Sequence, residues 1–366
     1  MNKKLMAVAV AGIFAAPAVA LAQTTIYGTV KAEYGFASQP NSAANATRHD
    51  AEAFNSGASN IGFRGEEKMG GGLAAWYQCE SDLQFLGGGT RTSGSICDRN
   101  SALGLKGGFG NFYVGTWDSP LKRASGVTRI TEETGWTGSQ HITLSSSAGP
   151  KGFSNRYVHT FNYDTPNMGG FTGSLQFTSL QATRNALESG PAVEGRAIGI
   201  GGQYAMGPLA VVAAYEKDDE NRASGLTSSS EDTAWLIGAR YKFGPVTVGF
   251  TYTDLETDNG AGTTVERTAW NLAGEWQITP AGAIRVGYAL ADDLEGTVKK
   301  PSSGAKQYQI GYWHNLSKRT KVYGAYVKLD NDSAGVYNLT GLSAGAANVF
   351  PGDSADVVAF GLFHTF

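Results

Sequence analysis

Residues 268–290 read TAWNLAGEWQITPAGAIRVGYAL, and their pattern of apolar and polar side chains indicates the fold class. Between 268 and 278, large apolar side chains alternate with polar ones: Trp270, Leu272, Trp276 and Ile278 fall on one face, and Asn271, Glu275 and Gln277 on the other. The same alternation restarts at Ile284, after a tight turn at 279–282 (TPAG). Because successive side chains of a β-strand point to opposite faces, a period of two predicts strands. The stretch therefore predicts an antiparallel hairpin with one apolar and one polar face.

The same pattern recurs along the chain, for example at 246–253 and 307–312. The strands of a soluble β-sandwich alternate in the same way. The lengths of the connections between strands must therefore distinguish a sandwich from a barrel. Short turns are expected at 67–71, 107–110, 165–170, 205–208, 242–245, 279–282 and 316–320. Longer polar loops are expected at 37–59, 81–98, 119–153, 180–195, 217–232, 257–266, 292–305 and 331–355. Seven turns that alternate with eight loops predict sixteen strands, with all tight turns at one rim, as in bacterial outer-membrane barrels.

The composition agrees with a barrel whose strands have one apolar and one polar face. Mean hydropathy is −0.22, glycine accounts for 50 of 366 residues, and aromatic residues make up 11%. After the first 22 residues, no apolar run approaches the ~18 residues that a membrane-spanning helix requires. Sixteen strands leave room for an aqueous lumen, whereas side chains fill a barrel of eight. The expected fold is therefore an all-β, 16-stranded antiparallel transmembrane β-barrel.

The first 22 residues have the features of an export signal. Two lysines at positions 3 and 4 precede an apolar run at 5–16, and a small-x-small cleavage site ends at Ala22. This pattern predicts a signal peptide at 1–22 that is cleaved on export, which leaves one barrel domain at 23–366. Loss of the two lysines changes the formal charge from −3 to −5, since 27 basic and 32 acidic residues remain. A nucleic-acid-binding protein with a basic surface is therefore excluded.

The two cysteines, Cys79 and Cys97, both lie in the exported part of the chain. An even number of cysteines in an exported chain favours one disulfide bond. The bond would close a loop of about eighteen residues and stabilise the fold by on the order of 3 kcal/mol through chain entropy. A zinc site needs more ligands than these cysteines and five scattered histidines supply, and no metal or other cofactor is expected.

Six stretches resemble the general Gram-negative porins of the betaproteobacterial type. They are TTIYGTVKAEYGF (24–36), SNIGFRGEEKMGGGLAAW (59–76), DRNSALGLKGGFGNFYVG (98–115), YDTPNMGGFTGSLQF (163–177), NLSKRTKVYGAYV (315–327) and VVAFGLFHTF (357–366). The resemblance implies a homotrimer in the outer membrane, in contact with the lipid bilayer and lipopolysaccharide, that passes small hydrophilic solutes and ions by diffusion. It also implies that the third external loop, here 119–153, folds into the lumen and narrows it.

A water-filled pore selects solutes through the charges at its narrowest point. The resemblance places Arg64, in the IGFRG segment, and Arg99 in a basic wall of this constriction. Arg156, directly after the third loop, is a third basic candidate. The opposing negative charges are expected to come from Asp118, Glu132 and Glu133.

The position of Arg99 leaves two alternatives open. Arg99 shares strand parity with Leu103 and Leu105, which are expected to face lipid. Either a β-bulge intervenes, or Arg99 belongs to the preceding loop.

The candidate residues indicate a weak preference for anions, because the named wall residues are arginines. A substrate-specific porin for a small anion or a sugar is the alternative function. Stacking of sugars would require indole rings that face the lumen, and only Trp76, Trp117 and Trp313 fit that requirement.

An enzyme built on such a barrel would need a nucleophile beside a base. The histidines are His49, His141, His159, His314 and His364. By strand parity and loop position, none has a serine and an acidic partner on a neighbouring strand of the same face. The best remaining arrangement is His141 near Ser139 and Ser145, and no catalytic residue is expected.

Overall fold

The computed structural model describes residues 24–40, 48–57, 59–83, 85–86, 96–131, 135–144, 152–178, 196–220, 230–260, 262–339 and 351–366. The signal peptide predicted at 1–22 lies outside these residues, as do Glu132 and Glu133. In the ranges given, no helix is long and apolar enough to cross a bilayer. The strands form one antiparallel sheet that closes on itself, because the first strand pairs with the last, with Thr29 opposite Thr365.

The sheet contains eighteen strand segments in the described part of the chain. They are β1 (Thr25–Pro40), β2 (Arg48–Asn55), β3 (Asn60–Gly70), β4 (Leu73–Asp82), β5 (Ser101–Gly107), β6 (Gly110–Asp118), β7 (Arg156–Asp164), β8 (Phe171–Thr178), β9 (Arg196–Met206), β10 (Leu209–Glu220), β11 (Ser230–Phe243), β12 (Val246–Asp258), β13 (Thr264–Gln277), β14 (Gly282–Ala291), β15 (Glu295–Gly296), β16 (Ala305–Asn315), β17 (Thr320–Asn331) and β18 (Ser354–Thr365). Because β2 and β3 pair with successive parts of β1, they form one interrupted strand of the barrel. β15 is a two-residue segment between β14 and β16, which pair directly with each other. The described residues therefore confirm a closed barrel of sixteen antiparallel strands.

The hairpin predicted from 268–290 is present, with β13 and β14 paired from Ala269 opposite Ala291 onwards. The loop expected at 37–59 is wrong in its extent, because β1 and β2 remain paired as far as Pro40 opposite Arg48. The rings of Tyr34 and Phe54, on these two segments, lie 4.8 Å apart and pack the extension together. Polar residues at this end of the barrel still satisfy their backbone groups by strand pairing, which a composition-based loop boundary misses.

The two faces of the strands differ as the alternation predicts. The outer face carries exposed large apolar side chains such as Leu272, Ile310 and Phe360. On β11 to β16 it also carries Trp and Tyr rings in contact. The distances between ring centroids are 5.2 Å for Trp235–Tyr252, 5.1 Å for Trp270–Tyr288 and 5.1 Å for Tyr288–Tyr308. Aromatic rings of this kind are enriched where a barrel meets the headgroup region of a membrane. The outer face is therefore the lipid-facing surface, and the inner face encloses the lumen.

The third loop folds into the barrel, as predicted for 119–153. Its described part contains two helices, α1 (Pro120–Thr128) and α2 (Gln140–Thr143). The side chain of Ser119 caps α1 by accepting a hydrogen bond from the backbone N–H of Lys122 at 3.2 Å, and Pro120 occupies the first helical turn. The loop approaches the wall closely at Gly199, where an added Cβ would lie 2.7 Å from Cδ of Pro120.

Candidate functional site

The third loop covers one side of the lumen. The helix α1 packs against β9 to β12, and the loop then reaches Trp136, which is buried against Gly35 of β1 and Val357 of β18. The backbone carbonyl of Gly138 accepts a hydrogen bond from Gln307 of β16 at 3.1 Å, and that of Thr143 accepts one from Thr253 of β12 at 2.9 Å. Among the described residues, the loop therefore packs mainly against β9 to β12 and against β1, β16 and β18, and the side of the lumen beside β3 to β7 is the less covered one.

Five basic side chains lie along this open side, and we refer to them as the basic wall. They are Arg64 on β3, Arg99 in the turn before β5, Lys122 and Arg123 on α1, and Arg156 at the start of β7. The three predicted arginines are thus joined by two cations of the third loop. Sequence parity missed Lys122 and Arg123 because they belong to a helix within a loop. The segment SPLKR after Asp118 has the cap and the i,i+4 charge spacing that signal such a helix.

A chain of contacts connects Arg64 with Arg99. The guanidinium of Arg64 lies over the ring of Tyr27, 4.9 Å from its centroid. The hydroxyl of Tyr27 donates to Glu80 at 3.1 Å, and Glu80 forms a salt bridge with Nε of Arg99 at 2.7 Å. Arg99 also bonds Asp82 through Nη1 at 2.6 Å. Burial acts to lower the pKa of Arg99, but the bonds to Glu80 and Asp82 raise it above its usual value, so the group is always charged.

Arg99 belongs to the loop before β5, which resolves the two alternatives for its position. β5 begins at Ser101, so the parity of Leu103 and Leu105 does not extend back to Arg99. Both leucines are exposed on the lipid-facing side as expected, while the Arg99 side chain points to the lumen-facing carboxylates of β4. No bulge is needed to account for this arrangement.

Asp118, which is predicted to oppose the arginines, lies directly beside Arg156 and forms an ion pair with it. The two residues are register partners on β6 and β7, and Nε of Arg156 lies 3.0 Å from Oδ1 of Asp118. Nζ of Lys122 lies 2.9 Å from the same oxygen, and Asn100 donates to Oδ2 at 3.0 Å. Burial lowers the pKa of Lys122, and the nearby charges of Arg156 and Arg99 act in the same direction, whereas Asp118 opposes them.

The fifth cation, Arg123, connects α1 to the barrel wall. Its Nη2 lies 2.8 Å from Oδ1 of Asp164, and its Nη1 donates to the hydroxyl of Tyr113 at 3.0 Å. Tyr113 also contacts the indoles of Trp76 and Trp117, with ring centroids 5.4 and 5.0 Å away. Two of the three indoles considered for sugar stacking therefore form an aromatic cluster on the inner face.

Trp313, the third indole, also faces inward but offers no stacking surface. It is only 4% exposed and stacks on Tyr323, with ring centroids 5.3 Å apart. The guanidinium of Arg285 covers it at 4.8 Å from the ring centroid.

The predicted disulfide bond between Cys79 and Cys97 is present, with Cα atoms 4.7 Å apart. Cys79 lies on β4 opposite Phe63, so it is on the outer face of the barrel. Cys97 lies in the turn that leads to Arg99.

The comparisons with known proteins agree with this architecture. A model of the family described as Gram-negative porin matches residues 7–334. Outer membrane porin protein 32 of Delftia acidovorans is 28% identical over 371 residues, which cover 100% of both chains. The major outer membrane protein P.IB of Neisseria gonorrhoeae is 32% identical over 180 residues, or 48% of each chain.

Solved structures show the same fold. The anion-selective porin from Comamonas acidovorans has a TM-score of 0.78 and 26% identity, covering 94% of this chain and 100% of that one. A trimer form of OmpT from Vibrio cholerae has a TM-score of 0.64 and 17% identity, and the match covers 94% of this chain and 99% of that one. The relatives from Delftia acidovorans and Comamonas acidovorans are both described as porins. The chain belongs to the Gram-negative porin family and forms a water-filled channel through the bacterial outer membrane.

Proposed function

We propose that the basic wall is the constriction of this general diffusion porin and that it favours small hydrophilic anions. The observation that carries the proposal is the charge balance at the wall. Its five cations are accompanied by four carboxylates, those of Glu80, Asp82, Asp118 and Asp164. Among the described residues Arg64 forms no salt bridge, and its side chain is exposed to the lumen.

Fixed positive charge in a narrow aqueous passage lowers the energy of an anion and raises that of a cation. The paired cations are held close to the wall by their carboxylates, and each cation offsets the negative charge of its partner. Arg64 supplies the excess charge. We also propose that Glu132 and Glu133 of the third loop face the wall, which would create a transverse field that orients dipolar solutes.

The similarity to the porin of Comamonas acidovorans supports this ion preference, because that protein is described as anion-selective.

The test is the reversal potential of single channels in a planar bilayer under a KCl gradient. Wild-type channels are expected to prefer Cl⁻. Arg64→Gln should move the permeability ratio towards unity, and Arg64→Glu should invert the preference, because the wall then carries net negative charge. Arg319→Gln, the same change in an exposed periplasmic turn, is the matched control. An Arg64→Glu channel that keeps the wild-type reversal potential would remove Arg64 from the constriction.

A substrate-specific porin is the second candidate function, and the aromatic cluster favours it. Trp76 donates a hydrogen bond to Asn111 at 2.7 Å, so this side of the lumen combines rings with a polar edge. Such a surface suits a sugar ring, whose C–H faces stack on aromatics. Block of the current by one particular sugar or organic anion at concentrations well below those of the salt would support this function, and ohmic steps that ignore such solutes would support general diffusion.

We further propose that the chain is a homotrimer without enzymatic activity that contacts the bilayer and lipopolysaccharide through its apolar outer face. The trimer form of OmpT supports the assembly state. Unheated protein in mild detergent should have three times the chain mass by light scattering, and conductance should close in three equal steps. A monomer mass with single steps would contradict the trimer.

A further inference from the structure

The disulfide bond holds the turn that carries Arg99 against β4. Cys97 has a φ of +64°, in the left-handed region that a side chain disfavours. Its backbone N–H donates to Oγ of Ser81 at 2.8 Å. Two residues later, the backbone N–H of Arg99 donates to the carbonyl of Glu80 at 2.9 Å. The turn 97–99 therefore runs along β4 and is attached at both ends.

The carboxylates that fix Arg99 lie on the same short piece of β4 as the bridging cysteine. Cys79 points to the outer face, and the next residue, Glu80, points to the lumen, as strand alternation requires. Arg99 bonds Glu80 and Asp82, so one four-residue stretch supplies both the covalent anchor and the two partners of the guanidinium. A further hydrogen bond, from the backbone N–H of Asp82 to Oδ1 of Asp98 at 3.0 Å, completes the attachment.

Among the described residues, hydrogen bonds and ion pairs are the contacts that would hold this turn to β4 without the covalent bond. Asp82, one of the two partners of Arg99, is 43% exposed, and an exposed ion pair contributes little net stability. The left-handed conformation at Cys97 would also relax, because a non-glycine residue keeps it only where the surrounding structure imposes it. Arg99 would then leave its partners for part of the time, and its charge would leave the constriction with it.

We propose that the Cys79–Cys97 disulfide is a selectivity determinant of the channel, because it positions Arg99 in the basic wall from the opposite face of β4. The proposal rests on the proposed function of that wall. Reduction by dithiothreitol adds two electrons and two protons to the S–S bond, which gives two thiols, while the reagent is oxidised to its cyclic disulfide. The anion preference should then fall although no charged residue has been changed.

The test compares four proteins by reversal potential under a KCl gradient: wild type, Arg99→Gln, the double variant Cys79→Ser with Cys97→Ser, and the combination of all three changes. The double variant should lower the Cl⁻ to K⁺ permeability ratio by at least half of the shift that Arg99→Gln causes. In the Arg99→Gln background, loss of the cysteines should cause no further shift. If the disulfide had a merely structural role, its loss would alter thermal stability or conductance. The effects of the cysteine changes and of Arg99→Gln on the permeability ratio would then be additive.

The outcomes separate this inference from the proposed function. If Arg99→Gln leaves the permeability ratio at its wild-type value, Arg99 has no place in the constriction and the proposed function fails at that residue. If Arg99→Gln lowers the ratio and the double variant does not, the positioning role is overturned. An equal shift in both backgrounds would also overturn it.

Reduction of assembled channels provides a second measurement that does not depend on folding of the serine variant. Dithiothreitol added to wild-type channels in the bilayer should shift the reversal potential in the same direction as Arg99→Gln, and removal of the reagent with reoxidation should restore it. The serine variant, where it assembles, should not respond to the reagent. A wild-type reversal potential that stays constant after complete reduction, verified by thiol labelling, would refute the proposal.

Discussion

Acidification should release the third loop from the barrel wall through His141. This residue lies in α2, only 7% exposed, and its burial lowers its pKa from 6.5 to about 4, although a hydrogen bond with Gln307 opposes the effect. Two charged groups of the barrel contact this part of the loop: Nη2 of Arg267 lies 3.5 Å from the carbonyl of Thr143, and Glu33 approaches Gly135. A proton on His141 would thus be buried away from water.

The sign and the magnitude follow from the two pKa values. A released, hydrated loop binds the proton below about pH 6.5, whereas the docked loop binds it only below about pH 4, so docking is favoured above this window and weakened as the pH falls through it. Because one pKa unit corresponds to about 1.4 kcal/mol, the docked loop should lose roughly 3 kcal/mol of stability relative to the released loop by about pH 4.

The assay is hydrogen–deuterium exchange of peptides that cover 136–144, corrected for the intrinsic rate at each pH. Protection in the wild type should fall by about tenfold for each pH unit below about 6.5, relative to a His141→Gln variant that cannot titrate. The difference between the two proteins removes the contribution of Glu33 and other carboxylates, which titrate in both. Equal pH profiles for the two proteins, or protection that rises on acidification, would show that protonation of His141 does not control docking of the loop.

Further outcomes are expected at three other positions. Gly35→Val should displace Trp136, because an added Cβ would lie 2.8 Å from its ring. Single-channel conductance should become larger and noisier, whereas the heat-modified mobility of the protein on a gel should stay normal. Arg156→Gln should weaken the attachment of α1 by roughly 1–3 kcal/mol, because it leaves Asp118 without one of its cationic partners. Arg156→Lys keeps the positive charge, so it should retain most of the wild-type anion preference. Mass spectrometry of the exported protein should find Gln23 at the N-terminus, and a retained Met1 would contradict cleavage after Ala22.

The barrel could be predicted from the sequence because its rules are local. Alternation at 268–278 and the turn that follows depend on neighbouring residues alone, and the structure pairs β13 with β14 accordingly. The disulfide followed from the number of cysteines in an exported chain, since no other pairing existed.

The details of the constriction could not be predicted in the same way, because they depend on which strands become neighbours. The proximity of Asp118 to Arg156 is set by the register between β6 and β7, which no local pattern contains. Parity placed Leu103 correctly and failed at Arg99, since alternation holds only within a strand. Lys122 was missed because a helix inside a loop follows neither the strand period nor a loop composition.

The near-neutral balance of the basic wall has an evolutionary consequence. A wall of lone arginines could change its ion preference only by losing a cation, and each loss would also remove a side chain that shapes the passage. In this chain a carboxylate can be neutralised instead: Asp82→Asn is a single-nucleotide change in the codon, nearly isosteric, and leaves Arg99 its bond to Glu80. Lineages under selection for uptake of scarce anions, or for exclusion of a charged antibiotic, can therefore adjust the filter in small reversible steps without rebuilding the pore.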